Sequence, residues 1–144
     1  MSERKRIRVL LADDHLIVRM GLAALLGLED DIALVGEATD GEEAVRLAAA
    51  THPDIVLMDL MMPKTNGVEA TRGILRARPE TKVVILTTFL DSPDVRAALE
   101  AGACGALIKN TSRTELVAAI RRTLADEHVY SREIRTLLET TAAP

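Results

Sequence analysis

Aromatic residues are nearly absent from this chain: they make up 1% of it, and there is no tryptophan. Phe89 and Tyr130 stand alone, too few to build the stacking platforms on which single-stranded nucleic acids are held. Cysteine is as scarce. The lone Cys104 excludes a disulfide framework and a cysteine metal cluster, and fits a reducing cytoplasm. No apolar run approaches the length of a membrane span, and the charged amino terminus leads into no secretory signal pattern. The expectation is a cytoplasmic domain with no membrane attachment. An excess of positive charge is missing too. With 18 basic against 22 acidic residues the formal charge is -4, which argues against nucleic-acid binding by this stretch itself. Arg4, Lys5, Arg6 and Arg8 do cluster, and read as a solvated lead-in to a strand.

What is present is aliphatic and alternating. Hydrophobic residues make up 48% and charged residues 28% of 144 positions, a globular balance sufficient for one full core. Compact aliphatic runs at Ile7–Ala12, Ile32–Ala38, Ile55–Met58, Val83–Thr87 and Gly105–Ile108 read as five strands. Between them lie helical segments with start signals. Asp40 is placed to cap the second, with Glu43 at the capping-box position. Asn66 caps the third, which ends before Pro79. Ser92-Pro93 opens the fourth, Gly102 ends it, and Ser112 with Glu115 makes a capping box for the fifth. Strands that are apolar on both sides and alternate with helices predict a parallel sheet covered on both faces. Right-handed crossovers then favour a flavodoxin-like, doubly wound α/β sheet of five strands, order 2-1-3-4-5. A closed (β/α) barrel needs about 250 residues.

Residues 127–144 lie beyond the last helix this fold requires. They read as a linker, or a short helix capped by Ser131 and carrying Ile134, Leu137 and Leu138, heading toward an output domain absent from this chain. A frayed tail is the alternative. The first helix, over Leu16–Leu28, has Arg19 as its only strongly polar residue. Val18, Leu22, Leu25 and Leu26 share one arc, and Ile17, Met20 and Ala24 the opposite one. A helix flanking a sheet needs one apolar face, so the second is a candidate dimer or interdomain surface. Scattered surface hydrophobes are the plainer account.

The chemistry collects at the strand ends. Asp13 and Asp14 follow the first strand, Asp59 the third, Thr87 the fourth and Lys109 the fifth. In a doubly wound sheet these are the carboxyl ends, where ligands bind. Singly, each has a structural explanation: a helix cap, a strand residue, a surface charge. Together they form a constellation. Carboxylates a few Å apart repel by about 4 kcal/mol per close pair at an effective dielectric near 20, so they call for a cation. All-oxygen ligation suits Mg²⁺ or Mn²⁺ better than zinc, and His15 reads as the start of a helix. A carboxylate, a hard divalent ion, a lysine and a hydroxyl donor are the parts needed to receive a phosphoryl group. No serine–histidine–acid arrangement, Gly-rich phosphate loop or dinucleotide fingerprint is present.

These motifs, LLADDH (10–15), IVLMDLMMPKTNG, VVILTTF and GALIK, together resemble the receiver domain of two-component response regulators over residues 7–126. The DDH opening, the RMGL after it and GEATDGEEAV further resemble the NarL/FixJ-like subfamily with a LuxR-type helix-turn-helix output domain. The resemblance implies a phosphorylation-controlled switch and not an enzyme in its own right. Asp59 would be the phosphoacceptor, and Asp13, Asp14, Asp59 and the Met61 carbonyl would hold Mg²⁺. Thr87 and Lys109 would contact the phosphoryl group. The implied partners are a sensor histidine kinase as donor, a second copy as homodimer on phosphorylation, and DNA only through the output domain. Two positions depart from the family pattern. Ala106 stands where receivers commonly carry an aromatic or histidine on strand five, so a switch must run through backbone and the fourth helix. Asn110 stands where many carry proline. Met61 and Phe89 flank the expected path of a hydrolytic water, which predicts a long-lived aspartyl phosphate. Two other readings compete. One is a metal-dependent phosphatase with an Asp nucleophile, which would need an acid/base carboxylate where Met61 stands. The other is a phosphorylation-independent interaction module, consistent with Ala106.

Overall fold

The computed structural model describes residues 5–88 and 93–142; Arg4, Phe89 and Ser92, and the side chain of Leu137, lie outside the described residues. The alternation expected from the sequence is the alternation observed: β1 (Ile7–Ala12), α1 (Leu16–Gly27), β2 (Ile32–Ala38), α2 (Gly41–Thr51), β3 (Ile55–Asp59), α3 (Gly67–Ala77), β4 (Lys82–Thr87), α4 (Pro93–Glu100), β5 (Gly105–Ile108), α5 (Arg113–Leu124). All pairings are parallel, in the order β2-β1-β3-β4-β5-β6. This is the doubly wound arrangement with one strand more than expected. The additional β6 (Val129–Tyr130) is followed by α6 (Arg132–Ala142). Two residues carry no periodicity, so β6 has no signature of its own in the sequence.

Successive strand residues point to opposite faces, and the core divides accordingly. Leu10, Val56, Met58, Val83 and Ile85 pack with Ala44, Val68, Ile74, Val95 and Ala98 of α2, α3 and α4. Val9, Leu11, Ile55, Leu57, Val84 and Leu86 pack with Leu22 and Leu26 of α1 and Leu116 and Ile120 of α5.

Helix starts follow the expected chemistry. Asn66 Oδ1 accepts from the Glu69 N–H at 3.0 Å, and Ser112 with Glu115 forms a complete capping box. At α2, Asp40 Oδ1 accepts from Glu43 N–H at 2.8 Å. The Glu43 carboxylate passes over Asp40, however, and takes its bonds from the Thr39 N–H and hydroxyl. The basic lead-in is more than solvated charge. Arg6 donates to the Ile32 carbonyl, and the Arg8 N–H donates to Asp54.

The tail lies on the sheet. Gly105 pairs with Val129 and Ala106 with Tyr130, an approach that depends on the glycine. A Cβ at position 105 would sit 2.0 Å from the Val129 carbonyl oxygen. Ser131 N–H donates to the Ala106 carbonyl, and its hydroxyl accepts from Ile108 N–H at 2.9 Å. The hydroxyl read as a helix cap is thus engaged with strand β5. Ile134 of α6 is fully buried, in one apolar cluster with Ala106, Val95, Ala98 and Tyr130.

Candidate functional site

Strand register brings the chemistry to one edge. Ala12 lies beside Met58, Asp59 beside Leu86, and Thr87 beside Ile108. Asp13, the last residue of β3, the last of β4 and Lys109 therefore converge at the carboxyl edge. Asp13, Asp59 and Thr87 are buried, while Asp14 is exposed. Thr87 offers its carbonyl to the Lys109 N–H at 2.9 Å, which ties the end of β4 to the residue after β5.

Lys109 stands between two carboxylates. Its Nζ is 2.8 Å from Asp13 Oδ2 and 3.2 Å from Asp59 Oδ2, with all three side chains less than a tenth exposed. Burial pushes Asp13 up, but Lys109 and the His15 N–H outweigh it and its carboxyl sits below the ordinary value. Asp59 goes the other way. Burial raises it, the charge of Asp13 raises it further, and Lys109 offsets only part. Burial pulls Lys109 down, yet its two carboxylate partners hold it above the ordinary lysine range.

The acid cluster is organised by backbone. Met61 N–H reaches back to Asp59 Oδ1 at 3.3 Å, while the Met61 side chain is exposed. The loop from β3 returns tightly, with Gly67 N–H donating to the Leu60 carbonyl. A Cβ on Gly67 would lie 2.4 Å from the Asp59 carbonyl oxygen, so glycine is what lets α3 start against the end of β3. Arg19, the odd polar residue of α1, donates to the Asp13 carbonyl at 2.9 Å and pairs with Glu37. It fixes the acidic turn from the side.

Asp13, Asp14, His15 and Asp59 each place one ligand atom within 4.8 Å of all the others. Three carboxylates against one lysine leave two negative charges, which a divalent cation would neutralise. The buried Oδ2 atoms of Asp13 and Asp59 have ion-pair contact with Lys109 but no hydrogen bond of good geometry, so both retain acceptor capacity for such an ion. The sequence reading missed two members of this neighbourhood, Arg19 and the His15 ring. An arginine alone in an apolar helix was the available signal for the first. Phe89, read as a flank of the water path, lies outside the described residues.

Residues 9–121 match the family model of the response regulator receiver domain. The chain is a response regulator receiver domain. It is 50% identical over 115 residues to the transcriptional regulatory protein LiaR of Bacillus subtilis, covering 80% of this chain and 54% of that protein. It is 41% identical over 128 residues to the response regulator protein VraR of Staphylococcus aureus, covering 89% and 61% respectively. The receiver domain thus spans little more than half the length of the curated relatives it matches.

Among solved structures, it superposes with a TM-score of 0.88 on a LuxR-family two-component response regulator from Aurantimonas. The two share 39% identity over 96% of this chain and 99% of that one. The signal receiver domain of the putative response regulator NarL of Mycobacterium tuberculosis follows at 0.78 and 35%, covering 85% and 98%. The relatives are of NarL/LuxR type, as the sequence motifs implied. Among the described residues no helix is long and apolar enough to cross a membrane.

Proposed function

We propose that Asp59 accepts a phosphoryl group from the phosphohistidine of a sensor histidine kinase, and that the domain switches a cytoplasmic DNA-binding regulator. The observation carrying this reading is the Lys109 Nζ, shared between buried Asp13 and Asp59 at 2.8 and 3.2 Å. An Asp59 oxygen attacks phosphorus, the N–P bond breaks, and the imidazole leaves with the electron pair and gains a proton. Lys109 turns from Asp59 to the new phosphoryl oxygens, and the Thr87 hydroxyl donates a second contact. Mg²⁺, or Mn²⁺, held by Asp13, Asp14, Asp59 and the Met61 carbonyl, would neutralise charge on those oxygens. Met61 occupies the place where an Asp-nucleophile phosphatase needs its acid/base carboxylate, which favours a switch over a turnover enzyme.

The direct test is phosphoramidate with Mg²⁺, read as a phosphoryl adduct by intact mass. Wild type is expected to gain one adduct and Asp59→Asn none. Equal labelling of the two would remove the reading and favour a phosphorylation-independent module.

The output side rests on the exposed face of α1. Among the described residues, four of the five exposed large hydrophobics, Leu16, Ile17, Met20 and Leu28, lie on or at the end of this helix, with Ala24 exposed beside them. In our reading a second copy covers Ile17, Met20 and Ala24 once Asp59 is phosphorylated, and α6 leads toward a helix-turn-helix output domain outside residues 1–144. Sedimentation with beryllofluoride is expected to show a dimer for wild type and a monomer for Met20→Glu. A wild type that stays monomeric would dismiss this surface.

A further inference from the structure

His15 occupies the N-cap position of α1, yet its side chain makes no cap hydrogen bond. The ring turns instead to the acidic edge. Its Nδ1 lies 3.0 Å from Asp13 Oδ1, 3.3 Å from Asp14 Oδ1 and 3.9 Å from Asp59 Oδ2. The ring is 58% exposed, so polar contacts and not packing set its orientation, the shortest being the 3.0 Å hydrogen-bond contact with Asp13 Oδ1. In an octahedral site with ligands at about 2.1 Å, neighbouring donor atoms stand about 3.0 Å apart and opposite ones about 4.2 Å. All three Nδ1 separations fall in that range. Two buried carboxylate oxygens with spare acceptor capacity, Asp13 Oδ2 and Asp59 Oδ2, belong to the same group of residues.

We propose that His15 Nδ1 is a nitrogen ligand to the cation held by Asp13, Asp14 and Asp59, and that it biases the site toward first-row transition ions such as Mn²⁺ over Mg²⁺. The inference rests on the metal-assisted reading of the acid cluster and specifies which metals that cluster selects. Mg²⁺ demands oxygen ligands and keeps its waters, whereas imidazole suits the transition ions. An imidazole among carboxylates therefore shifts the preference without displacing an oxygen donor. The competing arrangement has Nδ1–H donating to Asp13 from outside the coordination sphere, as partners of ligating groups commonly do.

The two differ in what a nitrogen-sensitive measurement sees. The protein is loaded with MnCl₂ alone and examined by electron spin-echo modulation, beside calorimetric titrations with MnCl₂ and with MgCl₂. His15→Ala is a suitable variant, because the ring is exposed and caps nothing. Wild type is expected to show ¹⁴N modulation that His15→Ala lacks. The variant is also expected to lose at least the roughly tenfold in Mn²⁺ affinity that removing even an outer-sphere partner costs, while Mg²⁺ affinity stays within about twofold. No ¹⁴N modulation in wild type, or an equal loss for both ions, overturns the proposal and leaves the acid cluster as an all-oxygen site. If wild type binds neither ion, the proposal falls together with the metal reading beneath it.

Discussion

Lys109→Met is expected to lower unfolding stability by about 3–5 kcal/mol in metal-free buffer at neutral pH, the usual cost of removing one partner from a buried charge pair. Lys109 is 8% exposed, and the two carboxylates it separates are each 4% exposed. Without the ammonium, Asp13 and Asp59 face one another desolvated and unneutralised. Asp59→Asn in the same background removes one of those charges and is expected to recover a substantial part of the loss. Urea titrations of the single and double variants close the cycle, with a coupling of about 1–3 kcal/mol. Additive effects would mean that Lys109 does not hold the two carboxylates in place.

Acidity offers an independent check on the same triad. Asp59 sits above its ordinary value because of burial first and the charge of Asp13 second. The folded state therefore binds that proton more tightly than the unfolded chain, and ionised Asp59 opposes folding at neutral pH. Wild type should accordingly be less stable than Asp59→Asn above the raised value, and the gap should narrow as pH falls through it toward 3.8. Asp13 has the opposite sign. Its depressed value contributes stability that is present above 3.8 and lost as pH falls through the folded value.

Gly105→Ala is the second change expected to act strongly, through the tail. The new methyl would stand 2.0 Å from the Val129 carbonyl oxygen and 2.9 Å from Val129 Cγ2. Backbone has to move, and β6 has only two residues with which to hold on. Separation would expose Val129 and Ile134, at present 2% and 0% exposed, at a cost of about 1.5–3 kcal/mol for each side chain taken from full burial to water. Limited proteolysis should cut within 129–142 while the β1–α5 body stays intact, and hydrogen exchange at the Ile108 and Ser131 amides should accelerate. Wild-type protection at those two amides would mean the glycine is not what admits the strand. The same contacts explain how Ala106 is accommodated. With no ring on β5, Ile134 and Tyr130 share the apolar cluster in which Ala106 is buried, so the tail helix fills space beside the strand.

Most of the fold could be read before any coordinates. Ile55–Asp59 and Lys82–Thr87 are aliphatic enough to be strands buried on both faces, and Asp40, Asn66 and Ser112 marked where helices begin. The expected strand boundaries differ from those observed by one residue at Met58 and Val83. What escaped the reading shares a cause. β6 is too short for periodicity, and its stability comes from Gly105, Ala106 and Ile108, far from it in sequence. The Glu43 carboxylate bonds Thr39 because of local backbone geometry that spacing does not encode. The ring of His15 reads as part of a helix start, and only the fold shows that Asp59 comes within 3.9 Å of it.

The sequence by itself determined the class of fold and the set of polar strand ends, because hydrophobic periodicity and helix caps are local properties of the chain. The tertiary structure alone decided how those ends are paired. Lys109 lies closer to Asp13 than to Asp59, Arg19 clasps the Asp13 carbonyl, and Ser131 rather than a further strand residue meets Ile108. These choices follow from differences of tenths of an ångström between contacts, most of them between segments remote in sequence. They also follow from burial, which raises both aspartates but is outweighed at Asp13 by its partners. Neither quantity exists until the sheet has closed around the site.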